Sequence, residues 1–194
     1  MNERMIRLMG YFGIASPIIG FLMVYLSIQS TPGFNIFTQT LSELGSKGFG
    51  AVLFNSGLPI TGAFMLPFSK GLWETGKDSI MGLAGSIIYI GVSAILMILG
   101  IATINVQPVH YYLSVTLFVL IPFSIIAFGL HLLEKGFKIF AVFGFLLGAA
   151  SIVIWLIGGP VNGFKELVSV TSLAIWQISI GYWMTGAKIP EEED

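Results

Sequence analysis

Long apolar stretches alternate along the chain with short segments that carry glycine, proline and charged residues. Each stretch is close to the roughly 20 residues that a helix needs to cross about 30 Å of hydrocarbon. The connecting segments contain turn signals that hydrocarbon excludes, such as Thr31-Pro32-Gly33 and Ser69-Lys70-Gly71. The pattern predicts an all-α fold, a polytopic membrane protein with a six-transmembrane-helix bundle. The predicted spans are 8–28, 51–68, 80–104, 109–131, 137–158 and 166–185.

Residues 1–187 are predicted to form a single transmembrane domain, which an acidic cytoplasmic tail follows at 188–194. The start of the chain, a short basic segment before an apolar run, superficially resembles a signal peptide. The apolar run is long enough to cross the bilayer, however, and no small-residue cleavage pattern follows it. We therefore expect the run 8–28 to be a retained first span.

The composition fits a chain whose main solvent is lipid. Hydrophobic residues make up 55% of the 194 positions and charged residues 10%, with a mean hydropathy of +0.90. A soluble domain usually carries about 25% charged residues, so the expected partner of this surface is membrane lipid. The formal net charge of -1 offers no basic surface for nucleic acid. The absence of cysteine excludes disulfides, thiolate metal sites and thioester chemistry.

The nine Lys and Arg residues are divided unequally between the two sides of the predicted membrane. Cytoplasmic loops retain basic residues, so the side that carries more of them is predicted to be inside. That side holds Arg4, Arg7, Lys70, Lys77, Lys135, Lys138 and Lys188, and the other side holds Lys47 and Lys165. The distribution predicts a multi-pass protein of the cell membrane with both termini in the cytoplasm.

Polar residues gather at the predicted outer end. The loop between the first two spans contains Ser42 and Glu43, and its apolar residues fit either a short surface helix that Gly45 stops or an ordinary amphipathic loop. Asn55 lies about one turn inside the second span. Glu166 opens the sixth span, where a carboxylate is either an interfacial cap stabilised by the helix dipole or a functional group.

The two histidines lie at opposite ends of the fourth span. His110 and His131 share one helix face, but 21 residues at 1.5 Å per residue separate them by about 30 Å. No single site can use both. The outer end adds carboxylates from other segments, Glu43 and Glu166, whereas the inner end offers carboxylates in lysine-rich loops, which are expected to be solvated: Glu74, Asp78 and Glu134. Any acid–base centre is therefore expected around His110. Ser169 belongs to a partly polar seam that continues along the sixth span.

Short motifs spread over most of the chain carry a resemblance to a known family. They are Leu41-Ser42-Glu43-Leu44-Gly45, Phe54-Asn55-Ser56-Gly57, Gly100, Pro108-Val109-His110, Glu166 and Trp176. Together they resemble the archaeal branch of domain-of-unknown-function family 998. The resemblance implies a six-helix membrane protein without an agreed biochemical activity. It also implies recurrent polar positions, which fall here on Ser42, Glu43, Asn55, His110 and Glu166.

One departure from that family's pattern bears on metal binding. Members often place an acidic residue shortly before the histidine, whereas this chain has Asn105 and Gln107 there. A metal site that needs that carboxylate is therefore disfavoured, and we predict no metal. No Gly-rich phosphate loop, zinc helix signature or nucleophile elbow stands at a convincing position. The identity of any cofactor, and whether the protein is an enzyme, stay open.

The first functional hypothesis is an outer polar pocket that binds, and in one version modifies, a lipid headgroup or an amphiphile. Its expected members are Glu43, Asn55, His110 and Glu166, because ionisable groups in membranes are costly and usually functional. If chemistry occurs, His110 is the expected general base or ligand, with Glu43 or Glu166 orienting it or acting as the acid.

Serines supply the remaining candidates for that pocket. Ser42, Ser114 and Ser169 are expected to bind ligand, and Ser42 or Ser114 is the nucleophile in a catalytic version. A simpler interpretation of Ser114 is a one-turn neighbour that bonds to His110 or to its own backbone.

Two other classes of function compete with the pocket. A small transporter or channel subunit needs polar groups near the bilayer midplane or broken helices in matching halves, whereas the mid-span residues here are mainly small or aliphatic. A structural or assembly protein needs only that its outer polar groups tie helix ends together. It predicts that replacing Glu166 lowers stability without altering the affinity for any ligand.

Overall fold

The computed structural model describes residues 2–186 and contains no strand within that range. Six α-helices follow one another, namely α1 (Glu3–Gln29), α2 (Gly48–Gly76), α3 (Ile80–Leu99), α4 (Val109–Glu134), α5 (Lys138–Leu156) and α6 (Gly163–Gly186). All six are long and apolar enough to cross a membrane. The predicted all-α, six-helix membrane fold is thereby confirmed. The predicted acidic tail at 188–194 lies outside the described residues.

Helix bounds and predicted spans differ by several residues at a number of ends, and two of these differences show their physical cause. α2 continues to Gly76, beyond the predicted limit at 68, because helical hydrogen bonding persists after the apolar stretch ends. There Lys70 pairs with Glu74 one turn on, at 2.5 Å. α3 ends at Leu99, short of the predicted 104, where Gly100 packs against the backbone of α2 and the chain leaves the helix.

The six helices form a closed ring in which each helix packs against its neighbours in sequence and α6 packs against α1. Alternating directions give the ring two different ends. The connections 30–47, 100–108 and 157–162 meet at one end, which we call the loop end. The turns 77–79 and 135–137 meet at the other, together with the first residue of α1 and the last residue of α6; we call this the terminal end.

Glycines set the closest approaches between helices. A Cβ atom placed on Gly10 of α1 would lie 2.6 Å from the carbonyl oxygen of Gly181 in α6, and one on Gly181 would lie 2.6 Å from the oxygen of Gly10. Likewise, a Cβ on Gly85 of α3 would lie 2.7 Å from the backbone nitrogen of Phe128 in α4. Such backbone contacts fit association in lipid, where packing rather than a hydrophobic drive holds helices together.

Aromatic side chains fill the ring toward its terminal end. Phe68, Tyr89, Phe128 and Trp176 come from α2, α3, α4 and α6, and all four are fully buried. Four pairs of these rings have centroids between 5.4 and 6.4 Å apart, and three of the four pairs are edge to face, which is a favourable arrangement for aromatic quadrupoles. This packing closes the interior of the bundle below the polar region at the loop end.

Polar contacts at the terminal end join the two short turns. Lys135 forms an ion pair with Asp78, and the hydroxyl of Ser79 donates to Glu134 at 2.6 Å. The hydrogen bond from Lys135 holds the pKa of Asp78 below its usual value, since it favours the ionised carboxylate. Asp78 is 58% exposed, so this pair ties α2–α3 to α4–α5 without supplying much stability.

Candidate functional site

The loop 30–47 is fastened to the first turn of α6. The amide of Gly163 donates to the carbonyl of Gln39 at 2.6 Å, and the amide of Phe164 donates to that of Ile36 at 3.0 Å. The side chain of Asn162 adds a bond to the carbonyl of Phe37 at 3.2 Å. These bonds satisfy amide groups that a helix start leaves without intrahelical partners. The loop therefore covers the end of α6 as a fixed lid.

Within this loop, Leu41–Gly45 forms a 3₁₀ helix. It ends at Gly45, as the short-helix interpretation predicted, but it does not lie on the surface. Leu41 and Leu44 are 6% and 0% exposed and pack among apolar residues of α1 and α2. Glu43 caps the 3₁₀ helix, because its carboxylate accepts from the backbone amide of Thr40 at 3.1 Å.

Glu166 joins the 3₁₀ helix to α6. Its side chain points into the bundle at 5% exposure, and its Oε2 accepts a hydrogen bond of 2.5 Å from the backbone amide of Leu41. The backbone of Ser42 also interacts with this carboxyl group. A buried carboxyl group needs such donors, since burial without partners is costly. The bond fixes both the position of Glu166 and the approach of the loop.

His110 presents an unpaired nitrogen to the interior. The residue is 6% exposed, and its Nδ1 lies 2.8 Å from the carbonyl oxygen of Ala102. A carbonyl can only accept, so Nδ1 carries a hydrogen, and in the neutral form of the ring the lone pair is on Nε2. Nε2 is buried and has no hydrogen-bond partner among residues 2–186. Nε2 can therefore accept a hydrogen bond or, as a base, a proton.

Two cavities open from the residues around His110. The first, which we call the interior pocket, has a volume of about 130 Å³ and lies between α1, α2, α3, α4 and α6. The second, the lateral groove, has a volume of about 590 Å³ and runs between α4 and α5. Both are lined by Ser42, His110, Ser114 and Glu166, which we call the polar cluster. The rest of each lining is mainly apolar.

The other three predicted site residues do not line either cavity. Glu43 is used in the cap of the 3₁₀ helix. The side-chain amide of Asn55 donates to the carbonyl of Gly45 at 3.0 Å and so holds the far end of that helix. Ser169 accepts from the indole nitrogen of Trp155 at 2.8 Å, which orients a wall of the lateral groove. All three position the loop or the walls around the polar cluster.

Most of the chain matches the model of one protein family. The model of the family described as protein of unknown function (DUF998) matches residues 14–183. The chain belongs to this family. The matched range includes all four residues of the polar cluster. No curated protein and no solved structure is similar to the DUF998 chain at a significant level.

Sequence reasoning missed the polar groups at the deep end of the interior pocket of this DUF998 protein. Gln177 is 2% exposed, lines the pocket and donates to the hydroxyl of Ser16. Thr61 lines the same region, and its hydroxyl has no partner among the described residues. Gln177 carries a readable signal, because it is the one amide inside the predicted sixth span. Thr61 carries none, since a hydroxyl in a helix usually bonds to its own backbone.

The candidate site of this DUF998 protein has one acidic residue, Glu166, in its lining and no basic lysine or arginine. The nearest cation in sequence, Lys165, is buried and donates to the carbonyls that end α5, at 2.7 Å from that of Ile157. Within residues 2–186, no group of three or more His, Asp and Glu side chains is placed to hold a metal ion. The polar cluster thus offers hydrogen-bond acceptors, and no Lys or Arg shares its lining.

Proposed function

We propose that the protein binds an amphiphile, with the polar head in the polar cluster and an apolar chain in the interior pocket. The observation that carries the proposal is the buried, unpaired Nε2 of His110 at the polar end of an apolar cavity. Leaving such a group without a partner costs about 1–3 kcal/mol. A ligand that donates to Nε2 recovers that cost, and its apolar chain fits the rest of the lining.

The hydrogen-bonding groups of the polar cluster indicate which class of polar head group the site binds. Nε2 of His110 accepts a hydrogen bond, and the carboxyl group of Glu166 has acceptor capacity beyond its bond to Leu41. Phosphate and carboxylate heads are usually held by Arg or Lys, and neither residue lines the cavities. An uncharged head with hydroxyl donors is therefore the class that this site suits.

The length of the interior pocket suits an extended apolar chain. Eleven residues of α6 separate Glu166 at the polar end from Gln177 at the deep end, which at 1.5 Å per residue is about 16 Å. Between these two positions the pocket is lined by apolar side chains of five helices. An extended hydrocarbon chain has the shape and polarity of that space.

A second candidate is proton transfer at the same site. The bond from Nδ1 to Ala102 fixes the tautomer of His110 and leaves Nε2 free to take the proton of a serine hydroxyl as that oxygen attacks the carbonyl of a bound ester. The ester bond breaks, and Nε2 returns the proton to the departing alcohol. The hydroxyls of Ser42 and Ser114 lie in the same lining. Turnover of a bound ester by the purified protein, abolished by His110→Asn, is the result that would favour catalysis over binding alone.

Replacing His110 tests the binding proposal. In His110→Asn the shorter amide retains a donor for Ala102 but removes the acceptor at Nε2. We expect the affinity for 1-oleoylglycerol, an uncharged single-chain amphiphile, to fall about tenfold, equivalent to one lost hydrogen bond. Thermal unfolding in detergent is expected to change little. Native mass spectrometry of the purified protein with increasing amounts of the lipid measures the affinity.

The matched control is His131→Asn, the other histidine of α4, which lies at the terminal end and lines neither cavity. It is expected to leave the affinity for 1-oleoylglycerol unchanged. Equal affinities of wild type and His110→Asn, or no binding by the wild type, would contradict the proposed function.

We also propose that the loop end faces the outside of the cell, which the distribution of basic residues supports. The chain lacks cysteine, so single introduced thiols report position directly. Phe37→Cys at the loop end, where the side chain is 64% exposed, should react with a membrane-impermeant maleimide on intact cells. Lys138→Cys at the terminal end should react only after permeabilisation. The reverse pattern would overturn the orientation, and labelling of both on intact cells would overturn the topology.

A further inference from the structure

Two apolar cavities share one polar cluster in their linings. A ligand with a single apolar chain would occupy only one of the two cavities. We infer that the site is a fork for a two-chain lipid, with one chain in the interior pocket and the other in the lateral groove. The inference rests on the proposed function and deepens it, because it fixes the architecture of the ligand. Its observation is the pair of cavities that share Ser42, His110, Ser114 and Glu166.

The two arms of the fork differ in how they meet their surroundings. The interior pocket lies inside the ring of helices, where side chains such as Leu117 and Leu173 are 4% and 8% exposed. The lateral groove lies on the outside, and its walls include Val115 at 45% exposure and Leu156 at 77%. In a bilayer these exposed walls face lipid tails. A chain in the groove is therefore continuous with the leaflet, whereas a chain in the pocket is enclosed by protein.

At the polar cluster, the interior pocket and the lateral groove are separated only by side chains that line both. Phe118 lines both cavities, as do the four members of the polar cluster, and all five residues lie near the loop end. A head bound by His110 and Glu166 thus has an apolar route on each side of Phe118. A glycerol-type head, which carries a free hydroxyl and branches into two chains, matches this arrangement of donors and routes.

The groove also gives such a lipid access from the membrane. It opens sideways between α4 and α5 and leads directly to the polar cluster. A lipid in the same leaflet reaches His110 without crossing the loop 30–47, which hydrogen bonds fasten to the start of α6. One of its chains then passes Phe118 into the pocket while the other stays in the groove.

A comparison of two probes with the same type of head tests the fork. Native mass spectrometry of the full-length protein in detergent measures the affinities for 1,2-dioleoylglycerol and for 1-oleoylglycerol. The single-chain probe has more hydroxyls, so a site that reads only the head favours it. We expect the two-chain probe to bind about tenfold more tightly, because its second chain makes contacts that the other probe lacks.

A variant of the groove assigns the difference to the second arm. Val115→Trp fills the groove with an exposed side chain, so folding is expected to be retained. It should lower the affinity for 1,2-dioleoylglycerol to that of 1-oleoylglycerol and leave the single-chain affinity unchanged. Val153→Trp is the matched control, since Val153 is also exposed, at 53%, but lines neither cavity. It should change neither affinity.

The possible outcomes separate this inference from the proposed function. If both probes bind equally and Val115→Trp changes neither, the amphiphile site stands and the fork is overturned. If 1-oleoylglycerol binds the more tightly of the two, the fork is overturned as well. If neither probe binds the wild type, the proposed function fails and the fork fails with it. A tenfold preference that Val115→Trp removes and Val153→Trp preserves supports the fork.

Discussion

Replacing Glu166 with alanine is expected to lower the free energy of unfolding by about 2–3 kcal/mol, because the buried amide of Leu41 then loses its acceptor. The same change opens a small void next to the 3₁₀ helix and releases the loop that covers α6. Thermal and denaturant unfolding of the purified protein in detergent measure the effect. An unchanged unfolding transition would mean that the bond between Leu41 and Glu166 does not fasten the loop.

The glutamine variant separates stability from binding. In Glu166→Gln the amide oxygen still accepts from Leu41, so we expect less than about 1 kcal/mol of destabilisation. Its amide nitrogen, however, places a donor where the carboxyl group offered an acceptor. The affinity for 1-oleoylglycerol should therefore fall about tenfold. Full affinity in Glu166→Gln, together with the destabilised Glu166→Ala, would instead support the structural role in which Glu166 only ties helix ends together.

The contact between α1 and α6 should be a sensitive packing position in the ring. In Gly181→Ala the new methyl group would lie 2.6 Å from the carbonyl oxygen of Gly10, so the two backbones must separate. Forced overpacking of this kind costs about 1–3 kcal/mol or more. Gly10→Ala should have a similar effect. Because the two variants strain one contact, the double variant should cost less than the sum of the single variants.

Gly91→Ala in α3 is the control for these glycine variants. The nearest atom to a Cβ at this position is Cδ1 of Leu120 at 3.6 Å, an ordinary contact. Alanine also has a higher helix propensity than glycine. We expect an unchanged or slightly raised unfolding temperature. If Gly181→Ala behaved like Gly91→Ala, the close approach of α1 and α6 would not limit the stability of the ring.

The helices could be predicted because hydrocarbon imposes one rule on all of them. Every backbone polar group in lipid needs a partner within the protein, and a helix supplies all of them within one segment. Long apolar runs of about 20 residues therefore predict helices without any knowledge of their neighbours. That rule says nothing about where a helix stops once it has left the hydrocarbon. The extension of α2 to Gly76 consists of helical bonds through polar residues such as Lys70 and Glu74, which the apolar pattern does not include.

The sequence predicted the end of the bundle at which polar side chains gather, but not which of them line a cavity. The sequence placed its candidates at one end, and the structure brings Ser42, His110, Ser114 and Glu166 around two cavities there. Glu43, Asn55 and Ser169 lie nearby with their polar atoms already bonded to Thr40, Gly45 and Trp155 respectively. Which polar side chain is satisfied and which is left unpaired depends on partners that are distant in sequence.

The sequence alone determined that this protein has six membrane-spanning helices with polar groups collected at one end, because local hydropathy and helix length are set residue by residue. Only the tertiary structure decided that Glu166 bonds to Leu41, 125 residues away, and that Nε2 of His110 has no partner among the described residues. It also decided that two cavities share one polar cluster. The physical reason is that cavities and unpaired atoms are properties of how helices pack, and packing arises from contacts between segments rather than within them.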